Sequence, residues 1–224
     1  MHRLVLALAL TSLLLADDPP PETQPEVPVG DPIDYFGIQT NATHVVFIID
    51  RSASMFFNPE DEKVKSKVQI MREETTKTIG LLKETTSFAI LFFSREPKPW
   101  QPQFVKATDQ NIQAAKKHVQ KEGTGGPTFL WKAIQRAFQY LDAVPPNERS
   151  GMKPSIFILT DGKVPDDAEK TIRKGIKPYL AKWKPILNVV SFEPDSEFLR
   201  QLAEENGGKL ICPLDPPDDD KKNR

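Results

Sequence analysis

The chain has 224 residues, a length that fits one folded domain with flanking segments. Thirty Lys and Arg residues against 31 Asp and Glu leave a formal net charge of −1, so no basic field indicates a nucleic-acid-binding protein. The same balance excludes the strong acidity that is typical of a wholly disordered chain. The single cysteine, Cys212, cannot form an internal disulfide, so folding must rest on an apolar core.

The N-terminal residues have the pattern of a secretory signal peptide. The basic start Met1-His2-Arg3 is followed by an apolar run at 4–16, shorter than the roughly 18 residues of a membrane-spanning helix. Leu14 stands where cleavage after Ala16 requires a small residue, so an uncleaved anchor is the alternative. We therefore expect a secreted, periplasmic or envelope protein that contacts a membrane only if residues 1–16 are retained.

The rest of the chain divides into three parts. Residues 17–33 are rich in proline and acid and are the predicted linker, residues 34–213 are the predicted domain, and residues 214–224 are a polar tail expected to be disordered. Within the domain, strand-like and helix-like patterns alternate. The predicted elements are strands at 45–50, 87–94, 103–108, 155–160, 186–192 and 209–212, and helices at 63–83, 109–121 (capped by Asp109), 129–141, 166–182 and 195–206.

This order predicts an α/β fold. Strands that alternate with helices form a doubly wound, mainly parallel central sheet with helices on both faces, in a Rossmann-like arrangement. The short run at 103–108 follows a proline-broken turn and is expected to pair as one antiparallel edge strand.

Polar side chains follow two of the apolar strands. Asp50 ends one strand and is followed by Ser52 and Ser54 at alternate positions, and Asp161 comes directly after another strand. Because the carboxyl ends of parallel strands meet at one edge of the sheet, we expect these side chains to lie close together. A glycine-rich loop between these two segments ends in Thr128 and can bring a further hydroxyl beside them.

The chemistry of these side chains predicts a metal site. Carboxylates and hydroxyls without a nearby histidine or cysteine suit a hard divalent cation, and short side chains favour octahedral Mg²⁺ or Mn²⁺ over Ca²⁺. Zinc is not expected. The glycine-rich loop lacks the lysine of a phosphate-binding loop, so we expect no nucleotide.

These motifs resemble the metal-ion-dependent adhesion site (MIDAS) of the von Willebrand factor type A (VWA) domain family. The likeness spans about residues 41–213. In that family the two serines coordinate the metal directly, the threonine does so directly or through water, and the two aspartates act directly or through water. The resemblance implies these roles for Ser52, Ser54, Thr128, Asp50 and Asp161. Pro127 departs from the family pattern and leaves Thr124 as the alternative threonine.

The resemblance and the donor chemistry together predict a binding protein. A cation held largely by neutral hydroxyls keeps much of its charge and attracts a partner's carboxylate. We therefore predict a non-enzymatic module that binds a protein partner, as in cell adhesion, through Mg²⁺ completed by an Asp or Glu of that partner. The predicted rim around this carboxylate consists of Arg51, Met55, Phe56 and Phe57, with packing of a phenylalanine under the loop as the alternative.

Two other functions are kept as alternatives. One is a metal-independent scaffold subunit of an envelope assembly, because a filled motif can persist without its metal. The other is a metal-assisted hydrolase, which needs a base and an activated water that the sequence does not indicate. Asp166 and Asp167 are further candidate ligands, although a place at the start of a helix suits them better.

Overall fold

The computed structural model describes residues 30–56, 64–162, 164–193 and 196–214. Its main sheet contains seven strands, and a separate hairpin contains two. The strands are β1 (Asp31–Tyr35), β2 (Ile38–Ala42), β3 (His44–Asp50), β4 (Ser87–Phe93), β5 (Pro97–Pro99), β6 (Val105–Lys106), β7 (Pro154–Thr160), β8 (Ile186–Ser191) and β9 (Leu210–Ile211). The helices are α1 (Lys67–Leu81), α2 (Asp109–Lys121), α3 (Leu130–Asp142), α4 (Asp166–Trp183) and α5 (Glu197–Glu204), with short 3-10 helices at Ala53–Phe56 and Pro146–Glu148.

The main sheet confirms the predicted fold class. Its strands lie in the order β5-β4-β3-β7-β8-β9, and β3, β4, β7, β8 and β9 are parallel. The short strands β5 and β6 both pair antiparallel with β4, so the edge carries two such strands where one was predicted. Because β3 lies in the interior of the sheet, Asp50 lies among the carboxyl ends of the parallel strands.

The central strands are apolar on both faces because both faces are covered by helices. In β3, Val45, Phe47 and Ile49 face the core beneath α1 and α2, whereas Val46 and Ile48 face the core beneath α3, α4 and α5. Strands β4 and β7 are buried along their whole lengths. This continuous burial explains why their sequences show apolar runs rather than alternation.

The hairpin of β1 and β2 was not predicted. It begins at Asp31, inside the segment assigned to the linker, and covers the core on the α1 side. Its turn places Phe36 and Gly37 at positive φ angles of 54° and 80°. Such turns usually contain Asn-Gly or Asp-Gly, so Phe36-Gly37 gave little sequence indication of a hairpin. Tyr35 joins the hairpin to α1 through a 2.8 Å hydrogen bond with Thr75.

Several helix boundaries differ slightly from the prediction. Ser66 caps α1 and accepts a hydrogen bond from the Gln69 amide, so the helix begins later than residue 63. Thr108, rather than Asp109, caps α2.

Between α3 and α4, an added Cβ at Gly175 would approach Trp131 Cζ2 to 2.3 Å, so this glycine permits the close contact of the two helices. None of the helices in the described ranges is both long and apolar enough to span a membrane.

Candidate metal centre

The predicted site residues converge at one edge of the sheet. Asp50 is the last residue of β3, and Asp161 directly follows the neighbouring strand β7. The backbone of the loop after β3 is fixed to β4, since the Arg51 amide donates a 2.9 Å hydrogen bond to the Phe93 carbonyl. Adjacent parallel strands therefore deliver both carboxylates to the same place.

Asp50 is a fully buried carboxylate. Its Oδ1 accepts a 2.7 Å hydrogen bond from the Ser52 amide, and its Oδ2 accepts one of 2.7 Å from Thr160 Oγ1. Burial raises the pKa of Asp50 above its usual range, the bonds from Thr160 and Ser52 lower it, and the charge of Asp161 raises it further. Among the described residues, no cationic side chain forms an ion pair with Asp50.

A chain of short contacts connects the motif serines with Asp161. The hydroxyls of Ser52 and Ser54 lie 3.1 Å apart, and Ser54 donates a 2.8 Å hydrogen bond to Oδ1 of Asp161. Oδ2 of Asp161 accepts a 2.6 Å hydrogen bond from Nζ of Lys67, the first residue of α1. Four side chains from three chain segments, those of Ser52, Ser54, Asp161 and Lys67, thus form one continuous chain of contacts.

The glycine-rich loop packs against the Asp50 loop through backbone hydrogen bonds. The Gly125 amide donates to the Arg51 carbonyl at 2.7 Å, and the Ala53 amide donates to the Gly126 carbonyl at 3.1 Å. Gly125 and Gly126 have φ angles of 147° and 91°, a backbone region that residues other than glycine rarely adopt. The two glycines thus allow the loop to align with the residues that follow β3.

Thr128 lies beside the residue that follows Asp161. A Cβ added to Gly162 would come within 3.0 Å of Thr128 Cγ2 and 3.1 Å of Thr128 Oγ1. Gly162 therefore permits the threonine side chain to approach the end of β7. The half-buried Thr128 is accordingly brought to the same edge of the sheet as the two carboxylates.

The predicted rim is only partly present. Met55 is fully buried, so it cannot form part of a partner-facing rim, and that prediction is wrong. Arg51 donates to Oε1 of Glu122 at 2.9 Å and to the Gly123 carbonyl at 3.3 Å, so its guanidinium is engaged inside the protein. Phe56 is 64% exposed and lies on the surface. Phe57 lies outside the described residues.

Three features of the site had no indication in the sequence. Lys67 and Glu122 are distant in the chain from their partners Asp161 and Arg51, and no motif connects them. The third feature is a groove of about 280 Å³ that adjoins Thr128 between the starts of α3 and α4. Its walls include Phe129, Trp131, Val164, Pro165 and Ile172.

The further acidic candidates lie at the start of α4. This helix begins at Asp166, as predicted, and the Asp167 side chain is exposed beside the groove. Within the described ranges, no group of three or more His, Cys, Asp or Glu side chains is arranged to hold a metal ion. Any metal at the sheet edge would therefore depend on hydroxyl ligands as well as carboxylates.

Comparison with known proteins identifies relatives of this domain. The chain is 29% identical over 184 residues to inter-alpha-trypsin inhibitor heavy chain H4 of Homo sapiens. The aligned region covers 79% of this chain and 19% of that protein. It thus spans about a fifth of the length of the curated relatives that it matches. A von Willebrand factor type A protein from Catenulispora acidiphila superposes with a TM-score of 0.63 at 20% identity, over 89% of this chain and 49% of that one. BatB from Bacteroides thetaiotaomicron superposes with a TM-score of 0.60 at 14% identity, over 80% of this chain and 94% of that one.

The family profile described as von Willebrand factor type A domain matches residues 44–211. This match runs from the first residue of β3 to the last residue of β9 and includes every residue of the candidate metal centre. The chain therefore belongs to the von Willebrand factor type A domain family.

Proposed function

We propose that this chain is a binding module that holds Mg²⁺ or Mn²⁺ and uses it to bind a carboxylate of a protein partner. The proposed ligands are Asp50, Ser52, Ser54, Thr128 and Asp161. The observation that carries the proposal is the environment of Asp50, a fully buried carboxylate whose hydrogen bonds come from neutral donors. An uncompensated buried charge is costly, and a divalent cation would offset that cost.

The spacing of the donor oxygens is compatible with a small cation. With Mg–O distances of 2.0–2.1 Å, neighbouring oxygens of an octahedron are about 2.9 Å apart. The Ser52 and Ser54 hydroxyls are 3.1 Å apart, and the Ser54 hydroxyl is 2.8 Å from Oδ1 of Asp161. The preference for Mg²⁺ or Mn²⁺ over Ca²⁺ rests on the small number of short donor side chains, because Ca²⁺ takes six to eight oxygen ligands.

Each residue has a distinct role in this proposal. A bound cation would supply the positive charge that attracts the partner's carboxylate. Ser52 and Ser54 would hold it without neutralising that charge, because their hydroxyls are uncharged. Thr160 and the Ser52 amide fix the orientation of the Asp50 carboxylate, as outer hydrogen bonds commonly do for metal ligands.

The surface around the site supports recognition of more than a carboxylate. Phe56 is 64% exposed and Phe129 is 46% exposed, and Phe129 forms one wall of the groove beside Thr128. Aromatic side chains of this kind are common anchors in protein interfaces. We therefore assign the partner rim to Phe56 and Phe129, in place of Met55 and Arg51.

A binding role is favoured over catalysis. The hydrogen bonds of the described site residues join serine, threonine, aspartate and lysine side chains, and no histidine or cysteine takes part in them. A hydrolase of this type would need a base beside its nucleophile or water.

An extracytoplasmic location is part of the proposal and rests on residues 1–16, which lie outside the described ranges.

One observation favours the metal-independent scaffold as a second candidate. The Lys67 ammonium lies 2.6 Å from Oδ2 of Asp161 and compensates the charge of one of the two carboxylates. Asp50 has no such partner among the described residues, which is why the metal-binding function is preferred. Partner binding that persists in EDTA would favour the scaffold.

The proposed function is tested with immobilised peptides that differ only by Glu or Gln at one position. We expect the protein to be retained by some Glu peptides in Mg²⁺, to be released by EDTA, and to ignore the matched Gln peptides. Equal retention on Glu and Gln peptides would contradict carboxylate recognition. Phe129→Ser should weaken retention while metal affinity stays unchanged.

The choice between the two threonines is tested by a matched pair of variants. Thr128→Ala should weaken Mg²⁺ binding measured by calorimetry, because it removes a proposed ligand. Thr124→Ala should leave Mg²⁺ affinity near that of the unmodified protein. The reverse result would assign the metal to Thr124.

A further inference from the structure

Lys67 has an unusual position for a basic residue. It is the first residue of α1, where the positive end of the helix dipole disfavours a cation. Its side chain is only 22% exposed, and its ammonium contacts the buried carboxylate of Asp161 at 2.6 Å. The other oxygen of Asp161 accepts the hydrogen bond from Ser54. An ammonium is therefore held in direct contact with a proposed metal ligand.

We propose that Lys67 sets the net charge of the metal centre, so that the centre binds its cation more weakly but binds a partner's carboxylate more strongly. This inference rests on the proposed function. Asp50 and Asp161 together carry two negative charges, which would cancel the charge of a divalent cation. Lys67 adds one positive charge, so the loaded centre keeps a net charge of about +1.

The two expected effects have opposite signs for the same reason. A fixed ammonium repels a metal cation that enters beside it and attracts a carboxylate that arrives later. Asp50, Ser52 and Asp161 are buried, so solvent screens these interactions only partly. Lys67 is thus a positioning and charge-setting residue rather than a ligand.

A purely structural role makes a different prediction. If Lys67 only joined α1 to the end of β7, its loss would loosen the site. Metal binding and carboxylate binding would then both weaken. The opposite changes expected from a charge-setting role separate the two explanations.

The test compares the unmodified protein with Lys67→Met and Lys67→Arg, in the full chain. Calorimetric titration with Mg²⁺ and Mn²⁺ measures metal affinity, and the thermal shift caused by acetate at saturating Mg²⁺ measures carboxylate affinity, with chloride at equal ionic strength as reference. Lys67→Met should bind metal about ten-fold more tightly and acetate about ten-fold more weakly. Lys67→Arg keeps the charge and should stay near the unmodified values.

Lys65→Met is the matched control. Lys65 lies two residues away and forms an exposed ion pair with Glu73 on α1. Its removal should change neither affinity measurably. Equal effects of Lys65→Met and Lys67→Met would overturn the proposal.

The outcomes distinguish this inference from the proposed function. No metal binding by the unmodified protein would overturn the proposed function, and this inference with it. Metal binding by the unmodified protein, with unchanged or weaker metal binding by Lys67→Met, would overturn only the role of Lys67. If Lys67→Met does not fold, Lys67→Gln is measured in its place, with the same expected directions.

Discussion

Nη1 of Arg51 lies 2.9 Å from Oε1 of Glu122, and this ion pair joins the loop of the candidate metal centre to the end of α2. The Glu122 side chain is only 4% exposed and also contacts Nζ of Lys98 at 2.8 Å. Its backbone carbonyl accepts a hydrogen bond from Arg72 on α1. One buried residue therefore connects α1, α2, the edge strand β5 and the Asp50 loop.

We expect Glu122→Gln to lower the free energy of unfolding by about 2 kcal/mol, because Arg51 and Lys98 lose a buried counter-charge. Both cations keep partial contact with water, so the loss stays below that of a fully buried pair. Urea unfolding measures the change. Glu73→Gln, in an exposed pair with Lys65, is the control and should cost less than about 0.5 kcal/mol. Similar losses in the two variants would contradict the central role of Glu122.

Thr160→Val tests the support of the Asp50 carboxylate. The substitution nearly preserves shape but removes the hydroxyl that donates to Oδ2 of Asp50 and accepts from the Gly162 amide. We expect Mg²⁺ affinity to fall by roughly ten-fold, as for other outer hydrogen bonds to metal ligands. Calorimetric titration measures this change. The exposed Thr171→Val on α4 serves as control, and an equal effect there would argue against the proposed support.

His44 gives the protein a predictable acid sensitivity. Its ring packs edge-on against Phe104 at 5.0 Å, at the end of the sheet opposite Asp50. Burial, with a smaller contribution from the charge of Lys106, lowers the pKa of His44 from 6.5 to about 4. The unfolded chain therefore binds a proton between these values while the folded protein does not. Stability is full above about pH 6.5 and falls as the pH drops towards 4.

We expect this acid-dependent loss to be on the order of 2 kcal/mol for His44, since the ring is partly exposed and partly screened. Urea unfolding at several pH values between 7.5 and 4.5 measures it. His44→Gln should reduce the dependence on pH in this window. An unchanged dependence in the variant would show that other groups cause it.

The sequence allowed most of the fold to be predicted because strands and helices follow local patterns, and the proposed ligands followed from those patterns together with the resemblance to the von Willebrand factor type A family. Continuous apolar runs identified β3 and β7, and the polar residues at their ends identified Asp50 and Asp161. The exposure of a side chain next to the site was less predictable, since Met55 packs into the core and its neighbour Phe56 does not. Local sequence does not determine which side of a short 3-10 helix faces inward.

Contacts between distant side chains that belong to no strand-end motif could not be predicted from one sequence. Lys67 is 94 positions from Asp161, and Arg51 is 71 positions from Glu122. These pairs form because α1 and α2 pack over the same face of the sheet, and no spacing in the chain indicates them. The β1–β2 hairpin was missed for a local reason, the unusual Phe36-Gly37 turn.

The central claim is that a divalent cation binds at Asp50 and its neighbours. The most direct test is thermal unfolding of the full chain and of its Asp50→Asn variant, each measured in EDTA and in Mg²⁺. Burial raises the pKa of Asp50, so its ionised form destabilises the metal-free protein at neutral pH. We expect Asp50→Asn to raise the unfolding midpoint in EDTA and to abolish the stabilisation by Mg²⁺. In the unmodified protein that stabilisation should reach about 2.7 kcal/mol at one hundred times the Kd. Asp109→Asn, an exposed control on α2, should behave as the unmodified protein. No midpoint shift with Mg²⁺ or Mn²⁺, or an equal shift in Asp50→Asn, would contradict the claim.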